Sequence, residues 1–303
     1  MSTKYLSLAV ACAACSLLLA GCSNSQPSNG AFGDMPDSLQ NAPLQISENV
    51  VNDMIQNISS PVEMANQIKN SGVGFDQSVL NSAEKMKDYN TSFKRALNLG
   101  VYSADLGYIN TFNKNTVVLS YLLAVKELSD GLSVGQFLDY NTLCRMAKSN
   151  ANLDSLKQLS VSSFNDMDRY LRSQKRSNVS TAIVVGAWVE GIYITCRVIE
   201  QTNDNDLRSR LAEQKPIVDI LKIILDNFSR GDSNFGQLCA KLDDLKSIYD
   251  GVRITTEIGE AVQKEVDGVL VIEQKDITHV DIQEGQYEQI IAKVKDLRQF
   301  IVE

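Results

Sequence analysis

The stretch Ile183-Val184-Val185-Gly186-Ala187-Trp188-Val189-Glu190-Gly191-Ile192-Tyr193 decides the fold. Its only charge is Glu190, and a helix that is apolar on nearly every side has to lie inside a protein with other elements packed around it. Glycine inside a helix costs about 1 kcal/mol relative to alanine, so Gly186 and Gly191 point to tight helix packing, the commoner cause, or to a ligand at the backbone. A second stretch has the same make-up. In Gly100-Val101-Tyr102-Ser103-Ala104-Asp105-Leu106-Gly107-Tyr108, small residues again alternate with bulky ones and one acid, Asp105, sits in mid-stripe.

Outward from these two stretches the pattern stays helical. Tyr287, Ile290, Ile291, Val294, Leu297 and Ile301 recur at three- and four-residue steps, which puts them on one helix face. Leu238, Leu242, Leu245 and Tyr249 mark another one-sided helix. Pro216 to Phe228 is the inverse, an apolar helix with a narrow polar stripe of Asp219, Lys222 and Asp226. Ser60-Pro61 with Glu63 reads as a capping-box start, closed near Gly72. The same reading predicts helices near 47–57, 61–70, 77–112, 115–130, 134–149, 154–174, 179–201, 205–228, 235–250 and 286–302. From Gly268 to Gln283, Val269 and Val271 followed by Ile277, His279 and Asp281 suggest one short β-hairpin near 269–282, turned by Lys275-Asp276. The expected fold is all-α, an irregular antiparallel bundle or stacked helical hairpins, without the repeat signature of a tetratricopeptide array.

Composition bounds the function. The chain has 303 residues, 44% of them apolar and 22% charged, enough to build a substantial core. With 29 Lys+Arg against 37 Asp+Glu, the net charge of −8 repels phosphate backbones, so nucleic acid is not an expected partner. A single histidine, His279, leaves most zinc and haem arrangements, and any triad or dyad that needs a second histidine, short of ligands or bases. No cofactor and no metal are expected. Ser82-Ala83-Glu84-Lys85 matches a Ser-x-x-Lys nucleophile motif, but the Lys-Thr-Gly element that this chemistry needs does not occur.

The N-terminus carries an address. Lys4 is followed by an apolar run from Tyr5 to Ala20 that is short for a membrane span, and the run ends in Leu19-Ala20-Gly21-Cys22. These four residues resemble the lipobox of bacterial lipoproteins of the outer-membrane type. The resemblance implies cleavage before Cys22, acylation of Cys22, and a membrane anchor made by the acyl chains. Ser23 in place of an aspartate after the cysteine implies the outer membrane. The absence of acids from Ser23-Asn24-Ser25-Gln26 implies a periplasm-facing protein. The expected organisation is a signal peptide over 1–21, a flexible Ser/Asn/Gly/Pro-rich tether over 22–46, and one helical domain over 47–303.

Asp105 and Glu190 are the candidate site residues. A carboxylate on a central helix has to be paired, hydrogen-bonded or protonated, because an isolated buried charge is costly. Two readings follow. In one, the acids face each other and Tyr102, Tyr108, Trp188 and Tyr193 line a pocket for a small ligand or glycan. In the other, Arg95, Arg197 or tyrosine hydroxyls satisfy them as a network that fixes helix register, the commoner use of such pairs. Two carboxylates would also suffice for acid–base work on a glycan if they stood about 5–10 Å apart. Cys144, Cys196 and Cys239, an odd number in apolar surroundings, read as buried free thiols, with one bridge as the alternative. The leading expectation is a non-catalytic binding or scaffolding module with an envelope protein as partner. A small-ligand binder around Asp105, Glu190 and Trp188 is the alternative.

Overall fold

A computed structural model describes residues 61–148, 153–259, 261–266, 269–274 and 277–303. The expected signal peptide, lipobox, tether and 47–57 helix lie outside the described residues. The fold is all-α, with ten α-helices among the described residues: α1 (Pro61–Asn70), α2 (Ser92–Thr111), α3 (Asn115–Gly131), α4 (Tyr140–Lys148), α5 (Leu153–Ser173), α6 (Ser177–Thr202), α7 (Asn205–Ala212), α8 (Lys215–Ser229), α9 (Ser233–Tyr249) and α10 (Gln286–Val302). Between α9 and α10 run four short strands, β1 (Arg253–Glu257), β2 (Ala261–Val266), β3 (Val269–Gln274) and β4 (Ile277–Asp281).

Three expected helices are shorter or divided, each where a polar side chain or a proline takes over the backbone. Over 77–112, Asp76 accepts from Ser78 N at 2.8 Å and starts a brief 3-10 turn, and a second such turn spans Ala83–Asp88. The α-helix begins only after Thr91, whose hydroxyl caps Lys94 N at 3.2 Å. Over 134–149, a 3-10 turn at Gly135–Phe137 precedes α4, and Asp139 accepts from Thr142 N at 3.0 Å. Over 205–228, the chain breaks between Ala212 and Lys215, with Pro216 in the first turn of α8, where its missing N–H does no harm.

The two glycine-bearing helices form the centre. A Cβ on Gly186 would lie 1.9 Å from Leu97 O, and one on Gly100 would lie 2.0 Å from Ile183 O, so α2 and α6 touch backbone to backbone. At one end Arg95 of α2 packs on Gly131 and Arg176, just before α6, donates to Leu132 O; at the other end Tyr108 and Gln201 both bond to Asp76, so the two helices run in the same sense. Helices α1, α5, α7, α8 and α10 also pack on α6. That explains how a 26-residue helix with a mean hydropathy of 1.6 over its most apolar 18 residues, long and apolar enough to cross a membrane, is instead 72% buried over that window. On α10 the stripe Ile290, Ile291, Val294, Leu297 and Ile301 is buried. The polar stripe of α8 meets α9: Lys222 pairs with Asp243 at 3.3 Å, and Asp219 with Lys246 at 3.0 Å.

The hairpin is longer than expected and pairs differently. β3 pairs antiparallel with β2, and β4 with β1, so 269–274 and 277–281 are not partners across Lys275-Asp276. The connection between paired Val266 and Val269 is Asp267-Gly268, the dipeptide that favours a two-residue hairpin loop. Ile254, Val280 and Ile282 pack against the edge of the core. Beyond them Thr255, Thr256, Glu257, Ile277, Thr278 and His279 are exposed, forming an arm whose strands pair with each other rather than with the helices.

Candidate functional site

Asp105 on α2 and Glu190 on α6 do face each other, and both are fully buried. Glu190 is held by an arginine on α10. Arg298 Nε donates to Glu190 Oε2 at 3.0 Å and its NH2 donates to Oε1 at 3.1 Å, a two-pronged charge-assisted pair. The Arg298 guanidinium also lies over the Tyr193 ring, 4.5 Å from its centre. Burial works against the charge on Arg298, but Glu190 outweighs it and holds the guanidinium protonated.

Asp105 has a different environment. Its Oδ2 accepts from Asn81 N at 3.2 Å, while its Oδ1 meets no donor. Burial, followed by repulsion from Glu190, pushes the Asp105 carboxyl well above the ordinary value of 3.8, against the opposing pull of Arg298. A proton on the Asp105 carboxyl removes the second buried negative charge and lets this group donate a hydrogen bond to Glu190. The set is then neutral, with Asp105 uncharged, Glu190 negative and Arg298 positive.

Asn81 extends the network toward the last turn of α10. Its Nδ2 donates to Tyr89 Oη at 3.0 Å, and Tyr89 donates to Val302 O at 3.2 Å. Asn98 donates to Ile301 O at 2.9 Å, and Lys94 to Glu303 O at 3.1 Å, so side chains from and before α2 satisfy carbonyls that a helix end leaves free. The acids thus tie α2, α6, α10 and the segment before α2 into one buried unit.

The remaining candidate residues divide. Tyr102 lies one turn from Asp105 and donates to Ser82 O at 2.8 Å. Tyr193 joins the cluster through Arg298. Trp188 is two residues from Glu190, hence on the far side of α6, and donates to Gln214 Oε1 at 3.1 Å. Tyr108 accepts from Asp76 N at 3.2 Å and stacks on Phe75 and Phe112. The six residues do not surround one pocket. Neither Arg95, which donates to Tyr89 O at 3.0 Å, nor Arg197, which lies 3.6 Å from Glu200, is the partner of the acids. Arg298 is: it stands between Val294 and Ile301 on the apolar stripe of α10, a signal that marks the arginine as needing a buried counterpart without saying which.

As folded, both carboxyls are fully buried and the pair has no opening for a substrate. Among the described residues, no cluster of three or more His, Cys, Asp or Glu side chains could hold a metal ion. Cys144, Cys196 and Cys239 are free thiols. Cys196 is buried, and at Cys239 burial and the hydrogen bond to Asp226 push the thiol up to about 12, where it is a poor nucleophile. His279 is exposed on β4, its Nε2 3.7 Å from Glu257. No family model, curated protein or solved structure matches the chain.

Proposed function

We propose that the protein is a lipid-anchored cell-envelope component, held at the outer membrane through Cys22 and facing the periplasm, that acts as a non-catalytic binding or scaffolding module. The observation that carries this reading is the arm from β1 to β4. It rises from a rigid helical body, is exposed on both faces of β1 and β4, and presents Ile258 and Ile277, 81% and 55% exposed, to solvent. Strand edges and isolated apolar side chains of this kind are what protein partners recognise. The acidic pair supports the same reading, since its polar groups are spent on internal bonds. The lipobox supports the location.

The test is a mild-detergent pull-down of the full-length protein from its native envelope, alongside a Cys22→Ala form and a form with 256–278 replaced by a short Gly-Ser link. A stoichiometric partner that is recovered with the wild type and lost with the shortened arm supports the reading. Equal recovery with the shortened arm removes the role of the arm, and turnover of an envelope substrate by the purified protein overturns the non-catalytic assignment.

A further inference from the structure

The free edge of β1 has a property that its neighbour lacks. β1 reads Arg253-Ile254-Thr255-Thr256-Glu257, pairs with β4 along one side, and among the described residues carries no backbone partner on the other. Laid antiparallel against itself about Thr255, the strand places Arg253 opposite Glu257 twice, Ile254 opposite Thr256 twice, and Thr255 opposite Thr255. Side chains directly opposite in an antiparallel pair lie on one face with Cβ atoms about 4.5–5.5 Å apart, within reach of an Arg–Glu ion pair. The match continues outward, because Arg253 already stands across from Asp281 in β4. A row across the four strands then reads Asp281, Arg253, Glu257, Ile277, with alternating charge at its centre. β4 does not have this symmetry: turned about His279, it sets Ile277 against Asp281 and one histidine against another. Four of the five β1 residues are exposed, and four are β-branched or arginine, with neither proline nor lysine to block the edge.

We propose that the β1 edge is a homotypic pairing site, at which Arg253–Glu257 of one copy aligns antiparallel with the same segment of a second copy to make a four-stranded sheet. This deepens the binding-module reading by assigning one edge of the arm to the protein itself and leaving the rest of the arm to a partner. Five residue pairs bury less than the roughly 1,200 Å² of a stable complex, so the dimer is concentration-dependent in solution and favoured by confinement on one membrane.

The test uses the full-length protein in detergent with Cys144→Ala as background. Thr255→Cys sits on the two-fold axis, and mild oxidation is expected to yield covalent dimer at least tenfold faster than Thr256→Cys, whose counterpart is Ile254. Arg253→Glu is expected to abolish this crosslinking, and Arg253→Glu combined with Glu257→Arg and with Asp281→Arg, which keeps an opposite charge across β4, to restore it, with unchanged Trp188 fluorescence showing that the body is folded in each case. Equal crosslinking at 255 and 256, or failure of the full charge reversal to restore it, overturns the proposal. The same variants in the pull-down separate the two claims: a partner still captured by an uncrosslinkable form leaves the binding-module reading standing alone.

Discussion

Replacing Asp105 by Asn tests the protonation of the buried pair directly. Asparagine imitates the neutral carboxyl: its oxygen accepts from Asn81 N and its amide donates toward Glu190, as the proton on Asp105 does. The wild-type carboxyl has a folded pKa raised above 3.8 by burial and by Glu190. The sign follows from linkage. Below about pH 4 both folded and unfolded chains hold the proton, and the neutral Asp105 contributes its full stabilisation. As the pH rises the unfolded chain releases the proton while the folded chain keeps it, so wild-type stability falls by about 1.4 kcal/mol per pH unit until Asp105 ionises in the fold. The asparagine variant has no such group. Its stability relative to wild type is therefore expected to rise by about 1.4 kcal/mol per unit from pH 4 upward until the folded carboxyl ionises. Urea denaturation followed through Trp188, the single tryptophan and fully buried, measures this at each pH, and other titrating groups cancel in the difference. Parallel pH profiles, or a wild type that gains on the variant as the pH rises, would refute the protonated assignment and make Asp105 an ionised member of the cluster.

Other consequences can be checked on the same preparations. Arg298→Met leaves Glu190 buried without its two-pronged partner, which is expected to cost about 3–5 kcal/mol in denaturant titration, while adding Glu190→Gln recovers a substantial part of the loss. Gly186→Ala drives a Cβ into Leu97 O and is expected to cost about 3 kcal/mol or more, lowering Tm by several degrees; Gly236→Ala, with only one neighbour at 3.6 Å, should leave Tm unchanged or raised. Thiol alkylation of the folded protein is expected to label half-buried Cys144 first, with Cys196 and Cys239 reacting only on unfolding, as peptide mass mapping over time would show.

Those parts of the fold set by local chemistry were readable in the sequence. Gly100 and Gly186 announced a close helix crossing because no other cause commonly keeps glycine inside an apolar helix, and the stripe on α10 announced its buried face. The boundaries misread over 77–112 and 134–149 were decided by capping side chains, Asp76, Thr91 and Asp139, competing with a periodicity that continues through them. The hairpin was misregistered because Lys275-Asp276 drew the turn away from Asp267-Gly268, whose two-residue spacing is the stronger signal.

The site shows the same division between local and distant information. That Asp105 and Glu190 needed partners followed from their place on apolar helices, but the identity of the partner did not. Residues 108 positions apart meet only once α10 has folded back across α2 and α6. A charge on a buried stripe and an acid on a buried helix are each unfavourable alone, and together they select one docking of α10 from many that would bury its leucines and isoleucines equally well. Shifting α10 by one turn would strand Arg298 and Glu190 separately and release the carbonyls that Asn98, Tyr89 and Lys94 hold. The register of α10 also fixes Gly285 and Gln286, whose amide donates to Ile248 O while its oxygen accepts from Gln283 N. These bonds clamp the foot of the arm between α9 and α10.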